Sequence, residues 1–340
     1  MIHNDVTDGY HAGISICNLG CPSAGFQANG TNILSQYNHI WNVIQGITAD
    51  GGTLYYNIGA AGGSGSGNRI LSNLVHDVTD SLVIDAGVHG SGYGGSGIYL
   101  DAQSAGAEVR NNVVFRVTGP AIHLTQGPAA GQPAHTLRNN IFALARTGMF
   151  DQQTPWTQGC GLAPAPEVNL LSNLFYFDSD DTSGFYVQRG CANSCSLPYN
   201  QFQNFQGNLY WRTDGGFAGY KKAFHVLTRA QTGDAASACS EPGNPATAWT
   251  FLTFGQWQTG TPLVNGLPLA MQEDAGGTVT VDPGFGAAAV PADFLLTRNP
   301  VAGFDYTLTN DAILHAGREQ PVIQPPEVPH TYPTFYFPRY

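Results

Sequence analysis

Apolar residues in this chain recur in short alternating runs, not at helical spacing. Six segments carry the same pattern: "ILSQYNHIWNV" (33–43), "ILSNLVHDV" (70–78), "VRNNVVFRV" (109–117), "LRNNIFALA" (137–145), "LLSNLFYFD" (170–178) and "FQGNLYWRT" (205–213). Each holds an asparagine at one position: Asn38, Asn73, Asn112, Asn140, Asn173 and Asn208. Alternating apolar residues follow it, the signature of a strand with one buried face. A glycine and a second apolar run come next, as in "GGTLYY", "GSGIYL" and "GPAIHL". The glycines are Gly52, Gly97, Gly119, Gly148, Gly184 and Gly216.

The asparagines are 28 to 39 residues apart, so insertions fall at fixed turns of a repeating unit. One such unit cannot bury its inner face alone, whereas stacked units can. The pattern predicts an all-β fold, a right-handed parallel β-helix (solenoid) with coils over 1–217. A loop-rich C-terminal extension over 218–340 is expected to pack on it, with a short helix in "KKAFHVLTRAQTGDA" and an extended Pro-rich tail. The asparagines should form a stacked column, each tolerating a left-handed backbone. A β-sandwich with recurrent turns is the competing architecture. The first repeat, "HNDVTDGYHAGISI", is cut, with Met1 where an asparagine is expected. Its unpaired edge calls for upstream chain or self-association.

Composition sharpens this picture. The chain has 340 residues, 43 of them Gly and 21 Pro, and only 11% are charged. The formal net charge is −11, and the 13 Lys and Arg form no basic block. Nucleic acid and anionic membranes, which need clustered cations, are therefore excluded as partners. A polyanionic polysaccharide fits less well than a neutral glycan, so carbohydrate is the expected partner. No apolar run reaches the ~20 residues of a membrane span. The Gly-rich stretches "GYGGSG" and "GGSGSG" are followed by neither a helix nor Lys-Ser/Thr, which rules out a nucleotide loop. No cofactor is expected; a structural calcium on Asp carboxylates and carbonyls is the one alternative.

Six cysteines, Cys17, Cys21, Cys160, Cys191, Cys195 and Cys239, form an even set in a Gly/Asn-rich β chain. That points to an oxidising compartment and disulfides, with Cys17–Cys21 and Cys191–Cys195 as local candidates. Zinc is the weaker reading, because the two C-x₃-C pairs are far apart in sequence. A secreted or periplasmic protein is expected, although "MIHNDVTDGYHAG" contains no signal peptide.

The candidate chemistry lies in "GSGIYLDAQSAG" (95–106), a strand that ends on Asp101. Aligning Leu54 with Ile98 and Ile122 puts Tyr55, Tyr99 and His123 in one outward row, and Asn57, Asp101 and Thr125 in the next. Aromatic faces and hydroxyl partners in rows suit a sugar; common aromatic stacking on a β exterior is the plain alternative. Asp101 is either a solvated strand end or a catalytic carboxylate.

At these residues the chain resembles a known family. "DGGTLYY" (50–56) and "GIYLDAQSAGAEVRNNVVFRV" (97–117), with "HTLRNNIFALA", "NLYWRTDGG", "FGQWQTGTP" and "VDPGFGAAAVPADFLLTRNPVAGF", are similar to segments of β-helix glycoside hydrolases. The nearest likeness is to the C-terminal part of glycoside hydrolase family 141, which includes an α-L-fucosidase and a xylanase. It spans roughly residues 2–305. The resemblance implies catalytic carboxylates at Asp50 and Asp101, and chain upstream of Met1. The sequence departs from the family pattern at Thr53, Ala102 and Gln103, and Thr125 takes the place of a histidine, with His123 two residues earlier.

Glycoside hydrolysis needs two carboxyls about 5–5.5 Å or about 6.5–9.5 Å apart. Asp50 aligns seven residues before Asp101, about 23 Å along an extended strand. The insertion "DAGVHGSGYGGSG" brings Asp85 and His89, either of which could replace Asp50. The expected function is a glycoside hydrolase-like protein acting on a neutral plant or bacterial glycan of fucoside or xylan type. The alternative is a non-catalytic β-helix for carbohydrate binding, adhesion or surface structure. A polysaccharide lyase ranks third, since no Lys lies near the rows to neutralise an acidic sugar. Thiol titration of denatured, unreduced protein is expected to find well under six free thiols; about six would refute the disulfide reading.

Overall fold

The computed structural model describes residues 1–17, 30–44, 51–58, 67–79, 95–101, 104–125, 127–128, 132–145, 148–153, 167–177, 184–189, 203–228, 250–259, 263–264, 267–268, 274, 276–279 and 282–283. Three sheets of parallel strands dominate it. The chain visits them in a fixed cycle, and each turn of the cycle adds one strand to each sheet.

Sheet 1 holds β3 (Leu34–Gln36), β6 (Arg69–Leu71), β9 (Glu108–Arg110), β12 (His135–Arg138), β15 (Val168–Leu171) and β18 (Gln203–Gln206). Sheet 2 holds β1 (Asp5–Thr7), β4 (His39–Trp41), β7 (Leu74–Val78), β10 (Val113–Val117), β13 (Ile141–Ala143), β16 (Leu174–Phe177) and β19 (Leu209–Arg212). Sheet 3 holds β2 (Ile14–Cys17), β5 (Gly52–Asn57), β8 (Ser96–Leu100), β11 (Pro120–Thr125), β14 (Gly148–Gln153), β17 (Phe185–Arg189) and β20 (Phe224–Thr228). An antiparallel strand, β21 (Thr250–Leu252), closes sheet 3, and β22 (Leu263–Val264) pairs with β23 (Leu267–Pro268). This is an all-β parallel stack of the solenoid kind.

The asparagine column forms at the corner between sheets 1 and 2. Asn38 donates its backbone N–H and its side-chain amide to Oδ1 of Asn73, at 3.0 and 2.8 Å. The same pair of bonds links Asn73 to Asn112, Asn112 to Asn140, Asn140 to Asn173 and Asn173 to Asn208. The second amide hydrogen reaches back to a carbonyl of the preceding coil, such as Val109 for Asn140 and Leu137 for Asn173. Each rung amide thus uses both donors and accepts twice, its full capacity. No other uncharged side chain of this size does this, which is why the position repeats.

Two expectations need correcting. The left-handed backbone belongs to the residue before each rung, not to the asparagine. His3, Tyr37, Ser72, Asn111, Asn139, Ser172 and Gly207 have φ between 53° and 65°. The first coil also has its rung: Asn4 donates to Asn38 at 3.1 and 2.7 Å. The slot assigned to Met1 lies three residues too early, because β1 pairs Asp5 with His39. The letters "DVTD" recur at 5–8 and 77–80 but stand three positions out of structural register, since Asp5 aligns through His39 with Leu74.

The recurrent glycine has a steric cause. A Cβ on Gly97 would lie 2.3 Å from Val114 Cγ1 and 2.7 Å from the Ala121 carbonyl, where sheet 3 approaches sheet 2. The interior rows change along the stack. In sheet 2 the inward row reads Val6, Ile40, Val75, Val114, Phe142, Phe175, Tyr210. In sheet 3 it reads Ile14, Leu54, Ile98, Ile122, Phe150, Phe185, Phe224. Aliphatic coils give way to aromatic ones.

The C-terminal end is covered. A short helix, α1 (Phe254–Thr259), lays Phe254 and Trp257 on the last coil. Trp257 stacks on Phe224 at 4.5 Å and meets Phe205 at 5.2 Å. Within "KKAFHVLTRAQTGDA", where a short helix is expected, Phe224–Thr228 is instead the strand β20, because Phe224 continues the inward row; residues 229–235 lie outside the described residues. The cysteine side chains and the tail beyond 283 lie outside the described residues.

The ladder predicts the cost of losing a rung. Asn140→Ala leaves both donors of Asn112 without their acceptor, at about 1–3 kcal/mol for each buried group. A urea midpoint lowered by the equivalent of about 2–5 kcal/mol is expected. Asn140→Asp should be no milder, since its carboxylate would face two acceptors, Asn173 Oδ1 and the Val109 carbonyl. A midpoint within 0.5 kcal/mol of wild type, about the effect of a neutral surface change, would remove the ladder from the account of stability.

Candidate functional site

Sheet 3 presents the expected rows. Its register sets Leu54 against Ile98 and Ile98 against Ile122, with Tyr55, Tyr99 and His123 adjacent on the other face. Ile98 and Leu100 are fully buried, which turns Tyr99 and Asp101 outward. Asp101 sits directly after β8, and both its carboxylate oxygens are engaged. The Tyr55 hydroxyl, from the preceding coil, donates to Oδ2, and the Thr125 hydroxyl, from the following coil, donates to Oδ1. Asn57 Nδ2 lies 3.5 Å from the Tyr55 hydroxyl. Asp101, Tyr55, Thr125 and Asn57 therefore form one connected cluster over three coils.

The rows are less open than the sequence implied. Tyr55, Tyr99, His123 and Thr125 are buried, at 6%, 3%, 0% and 7% exposure, while Asn57 and Asp101 are half-buried. Nor are the ring faces free as flat platforms. Tyr99 meets Tyr55 edge-on at 5.2 Å and 84°, and His123 meets Tyr99 at 4.6 Å and 67°. Strand spacing of about 4.8 Å lets neighbouring rings pack against one another in this way.

The register extends the row one step further, to Asp151 opposite His123. His123 Nδ1 lies 3.1 Å from Asp151 Oδ2, and both side chains are almost fully buried. The sequence signal was available: "GMFDQQ" aligns with "PAIHLT" once the glycine slot is matched to Pro120. From strand spacing and rise, the Cα atoms of Asp101 and Asp151 are about 12 Å apart. Asp50, Asp85 and His89 lie outside the described residues. The register that sets Gly52 against Ser96 is the one that put Asp50 seven residues from the Asp101 row.

Behind Asp101 the chain turns under tight control. Ser104 N–H donates to the Asp101 carbonyl at 3.0 Å. His135, fully buried, holds the far side of the turn. Its Nδ1 accepts the Ala107 N–H at 3.2 Å, and its Nε2 lies 2.8 Å from the Ser104 carbonyl. The Tyr56 hydroxyl donates to the Ala105 carbonyl at 3.1 Å. His135 is therefore neutral and protonated on Nε2, and burial pulls its pKa down to about 4. Nearby, Gln152 donates to Glu167 at 2.6 Å, and burial pushes the Glu167 carboxyl up to about 8 against that bond.

A second polar cluster decorates the outer face of sheet 2 and was missed in the sequence. His39 and His76 approach through their Nε2 atoms at 2.8 Å. His76 Nδ1 lies 2.6 Å from Asp77, which Arg116 grips with two bonds of 2.7 Å. Burial, then His76, lowers His39 to about 4, opposed by Asp5 and Asp77. These residues join three coils.

Among the described residues, no group of three or more His, Cys, Asp or Glu could hold a metal ion. No helix among them is long and apolar enough to cross a membrane. Comparison with known proteins finds no matching family model, no matching curated protein and no matching solved structure.

His135 gives the site a pH dependence. Its pKa is about 4 folded against 6.5 unfolded, so between these values the unfolded chain binds more protons. Its contribution is full above pH ~6.5 and is lost as pH falls towards ~4, by up to about 3 kcal/mol. Chemical denaturation at pH 7 and pH 4.5 is expected to show a smaller acid loss in His135→Gln than in wild type. Equal losses would show that His135 is not the sensitive group.

Proposed function

We propose that the chain is a right-handed parallel β-helix that acts on a neutral glycan as a glycoside hydrolase-like protein. Strand–crossover–strand connections within parallel sheets are right-handed in about 98% of cases, which supports the handedness. The low charge density and the absence of a basic block support a neutral substrate. The resemblance to glycoside hydrolase family 141, and with it a fucoside or xylan-type substrate and a secreted or periplasmic location, belongs to this reading.

One observation carries it. Asp101 sits half-buried at the end of a rigid strand, with each carboxylate oxygen oriented by a hydroxyl from a different coil. A carboxyl aimed by its surroundings is what acid, base or nucleophilic work at a glycosidic bond requires. In this reading Asp101 is one catalytic carboxyl and Asp50 or Asp85 the other. Tyr55 and Thr125 position Asp101, and the half-buried Asn57 lies at the sugar's approach.

A second reading is a β-helix that binds carbohydrate without cleaving it, or serves a surface-structural role. It is favoured by the edge-on rings, whose faces are spent on one another, and by the pairing of Asp151 with His123.

Asp101→Asn separates the two. Wild-type protein is expected to hydrolyse at least one of a panel of aryl fucosides, xylosides and arabinosides. The variant should lose about 100-fold or more, with oligosaccharide binding retained in calorimetry. Its stability should fall by about 1–3 kcal/mol, because both hydroxyl hydrogen bonds to the carboxylate lose their charge assistance. Glycan binding by wild type without any hydrolysis would give the second reading its place. Hydrolysis unchanged in the variant would remove Asp101 from the mechanism.

A further inference from the structure

The outer face of sheet 2 carries two imidazoles that meet end to end. His39 on β4 and His76 on β7 belong to neighbouring coils. Their Nε2 atoms are 2.8 Å apart, their ring centroids 5.0 Å apart, and their planes are inclined by 31°. The two side chains are 16% and 10% exposed, so the gap between them lies near the surface. Each ring has a carboxylate behind it. Asp77 Oδ2 lies 2.6 Å from His76 Nδ1, and Asp5 Oδ1 lies 3.4 Å from His39 Nδ1. Both carboxylates are fixed in turn. Arg116 grips Asp77 with two bonds of 2.7 Å, and Trp41 Nε1 donates to Asp5 at 3.0 Å. Phe115 stacks on His76 at 4.8 Å and 11°, which sets the plane of that ring.

Proton counting shows what this arrangement lacks. Asp77 is held as an anion by Arg116 and only accepts, so His76 carries a proton on Nδ1. Its Nε2 then aims a lone pair at His39. If neutral His39 donates from Nε2, its Nδ1 turns a lone pair on the Asp5 carboxylate. If it donates from Nδ1 instead, Asp5 is served and two Nε2 lone pairs face each other. A neutral pair cannot satisfy both ends at once, whereas a cation between the Nε2 atoms serves both. Asp5 and Asp77 against Arg116 also leave the cluster one negative charge for a cation to meet. A metal ion bonds both lone pairs directly and leaves each Nδ1–H on its carboxylate. That backing is what metal-ligating histidines almost always show.

We propose that His39 and His76 form a binding site for one divalent transition-metal ion, zinc or copper(II), with water completing its coordination. Two imidazoles on a tetrahedral ion at ~2.0–2.1 Å have Nε2 atoms about 3.3 Å apart. Here they are 2.8 Å apart, so a small rotation of the rings opens the site. Asp5 and Asp77 are spent behind the rings and do not ligate, which leaves two ligating side chains and not a group of three. Imidazole suits zinc, copper and nickel, whereas calcium and magnesium take oxygen ligands. The ion ties β4 to β7 and, through Asp5 and Arg116, draws in β1 and β10. The inference rests on this cluster alone and is independent of any glycan chemistry.

The test uses the full chain without a histidine tag, stripped of metal with EDTA. Calorimetric titration near neutral pH is expected to show uptake of zinc and tighter uptake of copper(II), with no competition from magnesium or calcium. His39→Ala and His76→Ala should each weaken binding by about 100-fold or more. Asp5→Asn keeps both ligands and should weaken it by about 10–100-fold. Saturating zinc should raise the melting temperature of wild type and leave that of His39→Ala unmoved. Pulsed EPR of the copper-loaded protein should count two imidazole nitrogens, and one in either histidine variant. If a histidine variant fails to fold, the EPR count on wild type and the affinity of Asp5→Asn decide. The proposal is overturned if wild type takes up neither ion, if the histidine variants bind as tightly as wild type, or if EPR shows no pair of imidazoles. No uptake, with nitrogen-15 shifts that mark an imidazolium, would also overturn it and give the gap to a shared proton.

Discussion

The stack rests on a bond that points one way. A carboxamide has two donors and two acceptor sites, and each rung asparagine spends all four along the stacking axis. Neighbouring coils are thereby held in register at a buried corner where the backbone alone would leave N–H groups unpaired. The ladder fixes which residue faces which, so the inward apolar rows line up without further instruction. The left-handed turn before each rung costs a non-glycine residue about 1–3 kcal/mol. It persists because the rung bonds over-determine it.

Direction also explains the acid that ends the ladder: Asp274 accepts the Asn208 N–H at Oδ1, at 3.1 Å, and the Asn208 amide at Oδ2, at 2.9 Å. Asp274 carries a buried carboxyl, and burial raises its pKa despite donors from Tyr210, Asn208 and Gly207. An acid inside the ladder would break the chain of donors. At the terminus nothing further needs a donor, and a group that only accepts is the correct stop.

Much of this was legible in the sequence. Rung asparagines, the trailing glycine and period-2 apolar runs are one-dimensional traces of contacts one coil apart. The register of sheet 3 could be written down from Leu54, Ile98 and Ile122 before any coordinates. The left-handed residue was harder to find, because His3, Tyr37, Ser72 and Asn111 share a backbone shape and no side-chain chemistry. Asn4 was misplaced because letter matching favoured "HDVTD" over the rung. The burial of Tyr55, Tyr99 and His123 was not legible either. Alternation tells which face a residue is on, not whether that face is covered. Asp151 and His135 were missed for a related reason: each acts on a neighbour one coil away, and its own segment shows nothing unusual.

The drift of the interior from valine and isoleucine to phenylalanine, tyrosine and tryptophan has a dynamic consequence. In a stack whose coils touch only their neighbours, stability is a sum of local terms. Aromatic coils bury more area each and add ring–ring contacts of about 0.5–1.5 kcal/mol. The last coils are therefore the deep end of the molecule and the first coils the shallow one. Thermal opening in such a molecule is not a single event spread evenly through the chain. Opening is expected to start at β1 and β2, among aliphatic rows, and to meet more resistance where the rings begin at Phe142 and Phe150. Asp101 and its two hydroxyls lie on the aliphatic side of that boundary, so the candidate site is expected to loosen before the aromatic half of the protein opens.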